Sequence, residues 1–271
     1  MFTTENNPKI ISVRYLRNNE TAPVYMASVG GGEVGNHQGN YTDVDVQLND
    51  ARASSICFDI DTTGFVLCNQ RTKVTNFYDD KQISPTYESE LCEKLSSLTG
   101  AKHVEIFDHT RRSSNNNIRV RRSIREPASI VHNDYTANSG LTRLKAIYAQ
   151  RGNDVDALLQ KRFAIVNIWR SISGEVRNHP MALCDAQSVL ETDLVPVTRQ
   201  AADRTGELQL AHYNELHQWY YYPKMTADEI LVFKTYDSAT DGTTRYTLHT
   251  SFDEGNSLDR ESIETRCFVF Y

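Results

Sequence analysis

Cysteine is too sparse and too scattered in this 271-residue chain to build a disulfide framework or a thiolate zinc centre. Cys57, Cys68, Cys92, Cys184 and Cys267 are odd in number and form no CxxC pair. A reducing, cytoplasmic setting is the reading that follows. No apolar run approaches the roughly 18 residues that a membrane-spanning helix needs, and residues 1–30 lack a basic flank followed by an uninterrupted apolar stretch. Neither a membrane partner nor a secretory signal is therefore expected. Cationic excess is missing too: the net charge is −6 and the pI about 5.8, which argues against a general attraction to nucleic acid. Nor does any linker-like Pro/Ser/Gly tract divide the chain, so one domain over residues 1–271 is expected, serving a small-molecule substrate.

What the chain does contain is a 39% hydrophobic fraction, enough for a sizeable core. The first third reads as a flanking scaffold, residues 1–125, with strand-like runs at Ile10–Val13 and Gly64–Leu67 and an amphipathic helix from Tyr87 to Leu98 stopped by Gly100. From residue 126 onward the pattern changes to short β-branched and aromatic runs separated by Gly, Asp and Pro. They fall at Phe163–Trp169, Trp219–Tyr222, Glu229–Phe233, Tyr246–His249 and Cys267–Tyr271. One helix-like insert, 153–161, interrupts them. Such spacing predicts a mainly β protein with flanking helices around a double-stranded β-helix, or jelly-roll, core at 126–271. The aromatic C-terminal strand would also suit a homodimer edge.

Two segments invite other readings. VGGGEVGNHQG, 29–39, lacks the GK[ST] ending of a phosphate loop and opens no helical pattern, so a mobile loop is the better reading. RRSSNNNIRVRRSIR, 111–125, holds six arginines but no interleaved aromatic platform. A solvated loop or hairpin is expected there, or a rim that steers an anionic substrate.

Chemistry is suggested by VHNDYT, 131–136. In a strand, positions i and i+2 lie on one face about 6.6 Å apart, so His132 and Asp134 can converge on one ion while Asn133 faces away. Two histidines and one carboxylate with open positions form the facial triad of non-haem Fe(II) oxygenases. His249, in YTLHTS, offers the second imidazole. Eleven residues on, Arg260 and Ser262 stand two apart, a guanidinium fork and a hydroxyl aimed at a carboxylate. A 2-oxoacid that chelates iron at one end needs such an anchor at the other.

With these residues in place, the sequence resembles the Fe(II)/2-oxoglutarate-dependent dioxygenase superfamily, whose pattern is HxD, a distal His, then Arg-x-Ser. The blocks LTGAKHVEIFDHTRR, FAIVNIWRSI, PMALCDAQSV, HQWYYYPKMTADEILVFKTYDS and SIETRCFVFY narrow the resemblance to the hydroxylase/desaturase-like family of secondary metabolism, which includes cephamycin methoxylation and meroterpenoid endoperoxide proteins. It covers roughly residues 60–271. It implies Fe(II) on His132, Asp134 and His249, 2-oxoglutarate anchored by Arg260 and Ser262, and O₂ as oxidant. The implied outcomes are hydroxylation, desaturation, cyclisation or peroxide formation on a small natural product.

Several alternatives stand beside that reading. Arg266, six residues past Arg260, is a second candidate anchor, and His212 or His217 could replace His249. Asn167 is a candidate cosubstrate contact and Trp169 a core or pocket-wall residue. Asp185 and Gln187 are candidates for orienting a ligand imidazole, and Tyr135, Arg143 and Lys234 for touching substrate. The competing functions are a jelly-roll binding module without redox chemistry and a metal-dependent isomerase or hydrolase.

Overall fold

A computed structural model describes residues 9–18, 24–26, 30–31, 39–152, 154–201 and 204–271. Most of the glycine-rich stretch 29–39 lies outside them. In chain order the strands are β1 Lys9–Leu16, β2 Val24–Met26, β3 Tyr41–Asp50, β4 Phe65–Asn69, β5 His103–Ser113, β6 His132–Asn133 and β7 Phe163–Ser171. Then follow β8 Met181–Cys184, β9 Leu194–Gln200, β10 Thr205–Ala211, β11 Trp219–Tyr221, β12 Glu229–Asp237, β13 His249–Ser251 and β14 Glu261–Phe270. The helices are α1 Asp80–Gln82, α2 Glu88–Thr99, α3 Asn116–Arg122, α4 Ala137–Gln150 and α5 Asp156–Leu159, with a π-helical stretch Ile83–Tyr87 leading into α2.

These strands form two sheets, ordered β1-β3-β11-β8-β13-β6-β10-β9-β2 and β4-β12-β7-β14-β5. Strands from residues 1–125 occupy the outer positions of both, and strands after residue 126 fill the middle. The smaller sheet is covered on both faces, which is why β7 and β12 read as unbroken apolar runs and are buried along their whole length. On its outer face Ala164, Val166, Ile168, Ile230 and Val232 pack on Leu91 and Leu95 of α2. Each of those leucines contributes about 1.5–3 kcal/mol by burial. Inward, Trp169, Leu231 and Phe233 meet Met181, Leu183 and Tyr220 of the larger sheet. The two sheets thus close on each other as a jelly roll.

Helix α2 ends where its sequence says it should, with Gly100 in the left-handed region at φ 68° and its N–H bonded to Ser96. Helix α4 starts on a side-chain cap. The Thr136 hydroxyl accepts from Ser139 N–H at 2.9 Å while the Ser139 hydroxyl accepts from Thr136 N–H at 2.9 Å, a closed capping box. Its apolar face, Leu144, Ile147 and Tyr148, packs on Phe163, Phe268 and Phe270.

The structure corrects several expectations. The arginine-rich segment 111–125 is neither loop nor hairpin throughout: its start belongs to β5, and α3 follows, capped by the Asn115 side chain. The helical insert shrinks to α5. Strand character at the distal histidine begins only at His249, the last residue of the expected run Tyr246–His249. The aromatic C-terminal strand is no exposed edge, since Phe268 and Phe270 are buried between β7 and β5.

Gly140 sits where α4 crosses Tyr236, and a Cβ there would lie 2.6 Å from the ring. Gly140→Ala should therefore destabilise the fold by about 1–3 kcal/mol, read as a lower urea midpoint with unchanged slope. An unchanged midpoint would contradict this packing.

Candidate active site

His132 and His249 meet because β6 and β13 are antiparallel neighbours with these two residues directly opposite each other. Side chains of a cross-strand pair share one face, and the two rings lie 4.3 Å apart between centroids. Asp134 follows one residue after β6, in a bend, and its Oδ1 is 3.7 Å from His132 Nε2. One ligand atom from each of His132, Asp134 and His249 lies within 4.8 Å of the others, and both histidines are buried. The bend is fixed by Asn133, which faces away and donates to Tyr135 O at 2.7 Å and Gln209 Oε1 at 2.8 Å.

Each imidazole is also oriented. His132 Nδ1 is 2.7 Å from the carbonyl of Ile130, and His249 Nδ1 is 2.9 Å from that of Thr247. A carbonyl only accepts, so Nδ1 carries the proton and Nε2 presents a lone pair. Burial pushes both histidines down, His132 to about 4 with the neighbouring His249 adding to the effect, and both stay neutral at pH 7. Burial alone would push the Asp134 carboxyl up. The Arg266 guanidinium foremost, with the neighbouring His249 and His132 and the Asn167 N–H, overcomes it and holds the group well below the usual carboxylate range. Two neutral imidazoles and one ionised carboxylate are the protonation states that a divalent cation requires.

Behind Asp134 lies a buried ion-pair network. Its Oδ2 accepts from Asn167 Nδ2 at 2.8 Å and from Arg266 Nε at 2.9 Å. The same guanidinium donates to Asp108 at 2.7 Å, to Thr110 Oγ1 at 2.9 Å and to Glu264. Arg266 thus meets three carboxylates, while Asn167 donates to Asp134 and its Oδ1 accepts from the Thr235 hydroxyl at 3.3 Å. Both side chains are thus engaged in holding the protein's own Asp134 carboxylate.

Arg260 is built differently. It is buried, donates to the His179 carbonyl at 2.6 Å and lies over the Trp169 ring at 5.3 Å. Its Nε, the Ser262 hydroxyl and the Trp169 Nε1 are all buried without a hydrogen-bond partner. Burial and the nearby Arg112 push this guanidinium down to about 9, against partial compensation from Glu264. Three orphaned donor groups beside a buried cation fit an anionic carboxylate.

The remaining candidates lie elsewhere. His217 bonds Tyr15 at 2.9 Å and Asp193 at 3.2 Å, and His212 lies 3.3 Å from the Leu16 carbonyl. Both are packed away from the His132 cluster. Asp185 caps the turn Ala186–Ser188 rather than orienting an imidazole, a task done by backbone carbonyls. Lys234 is fully buried on Asp61 and Asp237 and faces no substrate space. Tyr135 and Arg143, in contrast, line a cavity of about 520 Å³ that reaches His132 and Asp134. Sequence reasoning missed Asp108 and Arg199, although alternation along HVEIFDHT and LVPVTRQ could have marked both as strand residues.

A jelly roll carrying a buried His-Asp-His cluster at one end defines the class as a mononuclear metal oxygenase fold. The comparisons agree. The family profile described as "Oxidoreductase/YMDC permease-like domain" matches residues 13–270. "Hydroxylase/desaturase CTB9" of Cercospora beticola is 33% identical over 90% of this chain and 81% of its own length. "Hydroxylase/desaturase efuI" of Hormonema carpetanum is 31% identical over 96% of this chain and 94% of its own. A solved structure of the "iron and alpha-ketoglutarate-dependent endoperoxidase NvfI" superposes with a TM-score of 0.81 at 25% identity, covering 97% of each chain. The chain belongs to the hydroxylase/desaturase family of Fe(II)/2-oxoglutarate-dependent dioxygenases. No helix among the described residues is long and apolar enough to cross a membrane.

Removing Arg266 leaves Asp134 buried and unpaired, so Arg266→Met should cost the metal-free protein about 3–5 kcal/mol. It should also alter acid sensitivity. Arg266 holds the Asp108 carboxyl below its ordinary value against the opposing effect of burial. That depression contributes stability above the unfolded pKa of about 3.9, lost as pH falls through the folded value. Urea midpoints of Arg266→Met should decline less between about pH 5 and pH 3 than those of the parent. Parallel acid profiles would contradict this.

Proposed function

We propose that this chain is an Fe(II)/2-oxoglutarate-dependent oxygenase of a small natural product, with His132, Asp134 and His249 as the metal ligands. The observation that carries the reading is the triad itself: two Nε2 lone pairs, fixed by backbone carbonyls at Nδ1, face one carboxylate held ionised. Arg266 and Asn167 orient that carboxylate through its second oxygen. Arg260 and Ser262, with Trp169 beside them, receive the far carboxylate of 2-oxoglutarate, because their buried donors have no protein partner. Phe233, 4.7 Å from the His249 ring, walls the site against water.

When bound, iron and 2-oxoglutarate supply the oxidation, coupling O₂ consumption and loss of CO₂ to removal of a hydrogen from substrate. The protein's own part is to hold the ligands deprotonated, fix the cosubstrate and admit substrate through the cavity beside His132. Hydroxylation, desaturation, ring closure and peroxide formation are all compatible with that geometry. A binding module or an isomerase has no use for a chelating triad combined with a second, buried anion anchor. We place the protein in the cytoplasm as a single oxygenase domain, supported by five free cysteines. The homodimer suggested by the C-terminal strand loses its basis with the burial of Phe268 and Phe270, and light scattering tests it.

Anaerobic addition of Fe(II) and 2-oxoglutarate should develop a weak visible charge-transfer band. His132→Ala, Asp134→Ala and His249→Ala should each abolish it. Arg260→Met should raise the 2-oxoglutarate concentration needed by about 30-fold or more, the cost of losing a buried charge-assisted contact. A band that survives in the ligand variants would refute the metal site.

A further inference from the structure

The cavity beside the triad is strongly cationic within an acidic protein. Eight arginines, and no lysine, line its 520 Å³ against four carboxylates, while the whole chain carries a net charge of −6. These arginines arrive from β5, the α3 region, α4, the β9–β10 hairpin and β14, so no single basic stretch accounts for their convergence.

Most of the eight are already engaged. Arg266 serves Asp134, Asp108 and Glu264. Arg111 bonds Asp80 at 2.7 Å, and Arg122 stacks on Tyr78 at 4.4 Å. Arg112 donates to the Glu126 carbonyl at 2.8 Å. Among the lining carboxylates, Asp108 and Asp134 are spent on Arg266, and Glu207 accepts from Thr136 and Asn138. Glu126 adds one further negative charge to the wall.

Three further guanidiniums have no side-chain hydrogen bond or ion pair among the described residues. Arg125 and Arg199 make no side-chain ion pair, and Arg143 lies over Phe107 with a buried Nε that has no hydrogen-bond partner. Burial lowers the pKa of both Arg125 and Arg199. Arg112, Arg199 and Arg266 repel Arg125 while Asp108 attracts it, and Arg266 and Arg204 repel Arg199 while Asp134 and Tyr25 attract it. Half-buried cations facing one another are costly unless an anion completes the group. Arginine, with its planar fork, is suited to a carboxylate.

We propose that the substrate of this oxygenase is an organic anion whose carboxylate is received by Arg125, Arg199 and Arg143, placing an adjoining carbon skeleton toward His132 and Asp134. This rests on the oxygenase reading above. It leaves the cosubstrate at Arg260 and uses a second cationic space for the substrate.

The test is thermal unfolding of the full chain with Fe(II) and 2-oxoglutarate under anaerobic conditions, and again without them. The probes are cinnamate and decanoate, each against its methyl ester. The acids should raise Tm by about 3 °C or more at concentrations near 100 times their Kd, and the esters should not. The Arg125→Gln/Arg199→Gln double variant should unfold no lower than the parent in low-salt buffer, since it removes like-charge repulsion, and should lose the shift. Esters that protect as well as acids would overturn the proposal. So would a double variant that keeps the shift, or acids that give none. If the double variant needs over tenfold more 2-oxoglutarate to form the charge-transfer band, these arginines serve the cosubstrate and the proposal falls. A parent protein that forms no band refutes the oxygenase reading instead, while the acid-ester comparison without metal still reports on the cavity.

Discussion

The contact on which this architecture turns is the ion pair between Arg266 and Asp134. It joins β14 of the smaller sheet to the bend after β6 of the larger one, and Asn167 of β7 joins it from the side. A carboxylate this deeply buried would ordinarily protonate. Arg266 keeps it charged, and that charge is what a metal cation needs. The same guanidinium ties in Asp108 and Glu264, so the charge state of Asp134 and sheet-to-sheet closure rest on one side chain.

From that pair the rest of the site follows by register. β6 and β13 place His132 opposite His249, and backbone carbonyls, not carboxylates, set both imidazole tautomers. Toward the start of β14 Ser262, and just before the strand Arg260, carry buried donors without partners. The β14 segment therefore supplies both the group that holds the Asp134 carboxylate and the donors suited to an outside anion. Arg260 and Arg266 look interchangeable in sequence but differ in company: one is met by three carboxylates, the other by a single backbone carbonyl.

Much of this was legible beforehand. Short apolar runs with turn residues between them gave the jelly roll, and HxD with His249 and Arg-x-Ser marked the residues proposed for the site, because strand period and ligand chemistry are local properties. Partner choice is not local. Whether Arg266 meets an anion of the protein or of a ligand depends on Asp108 and Glu264, which only sheet pairing brings near. Asp185 and Lys234 were assigned roles from their neighbourhood in sequence, yet one caps a turn and the other is locked to Asp61 and Asp237. Helix α3 hid inside a run of arginines because its signal is a single Asn115 cap rather than an apolar face. The cationic cavity was foreshadowed only by its rim at residues 111–125. Arg199 and Arg143 join it from segments that carry no basic cluster of their own.

Diffraction from crystals soaked anaerobically with Mn(II) and 2-oxoglutarate tests the central claim most directly. The account predicts one anomalous peak bounded by Nε2 of His132, Nε2 of His249 and a carboxylate oxygen of Asp134, with the far carboxylate of 2-oxoglutarate on Arg260 and Ser262. An ion bound at His212 or His217, or a cosubstrate carboxylate on Arg266, would contradict it.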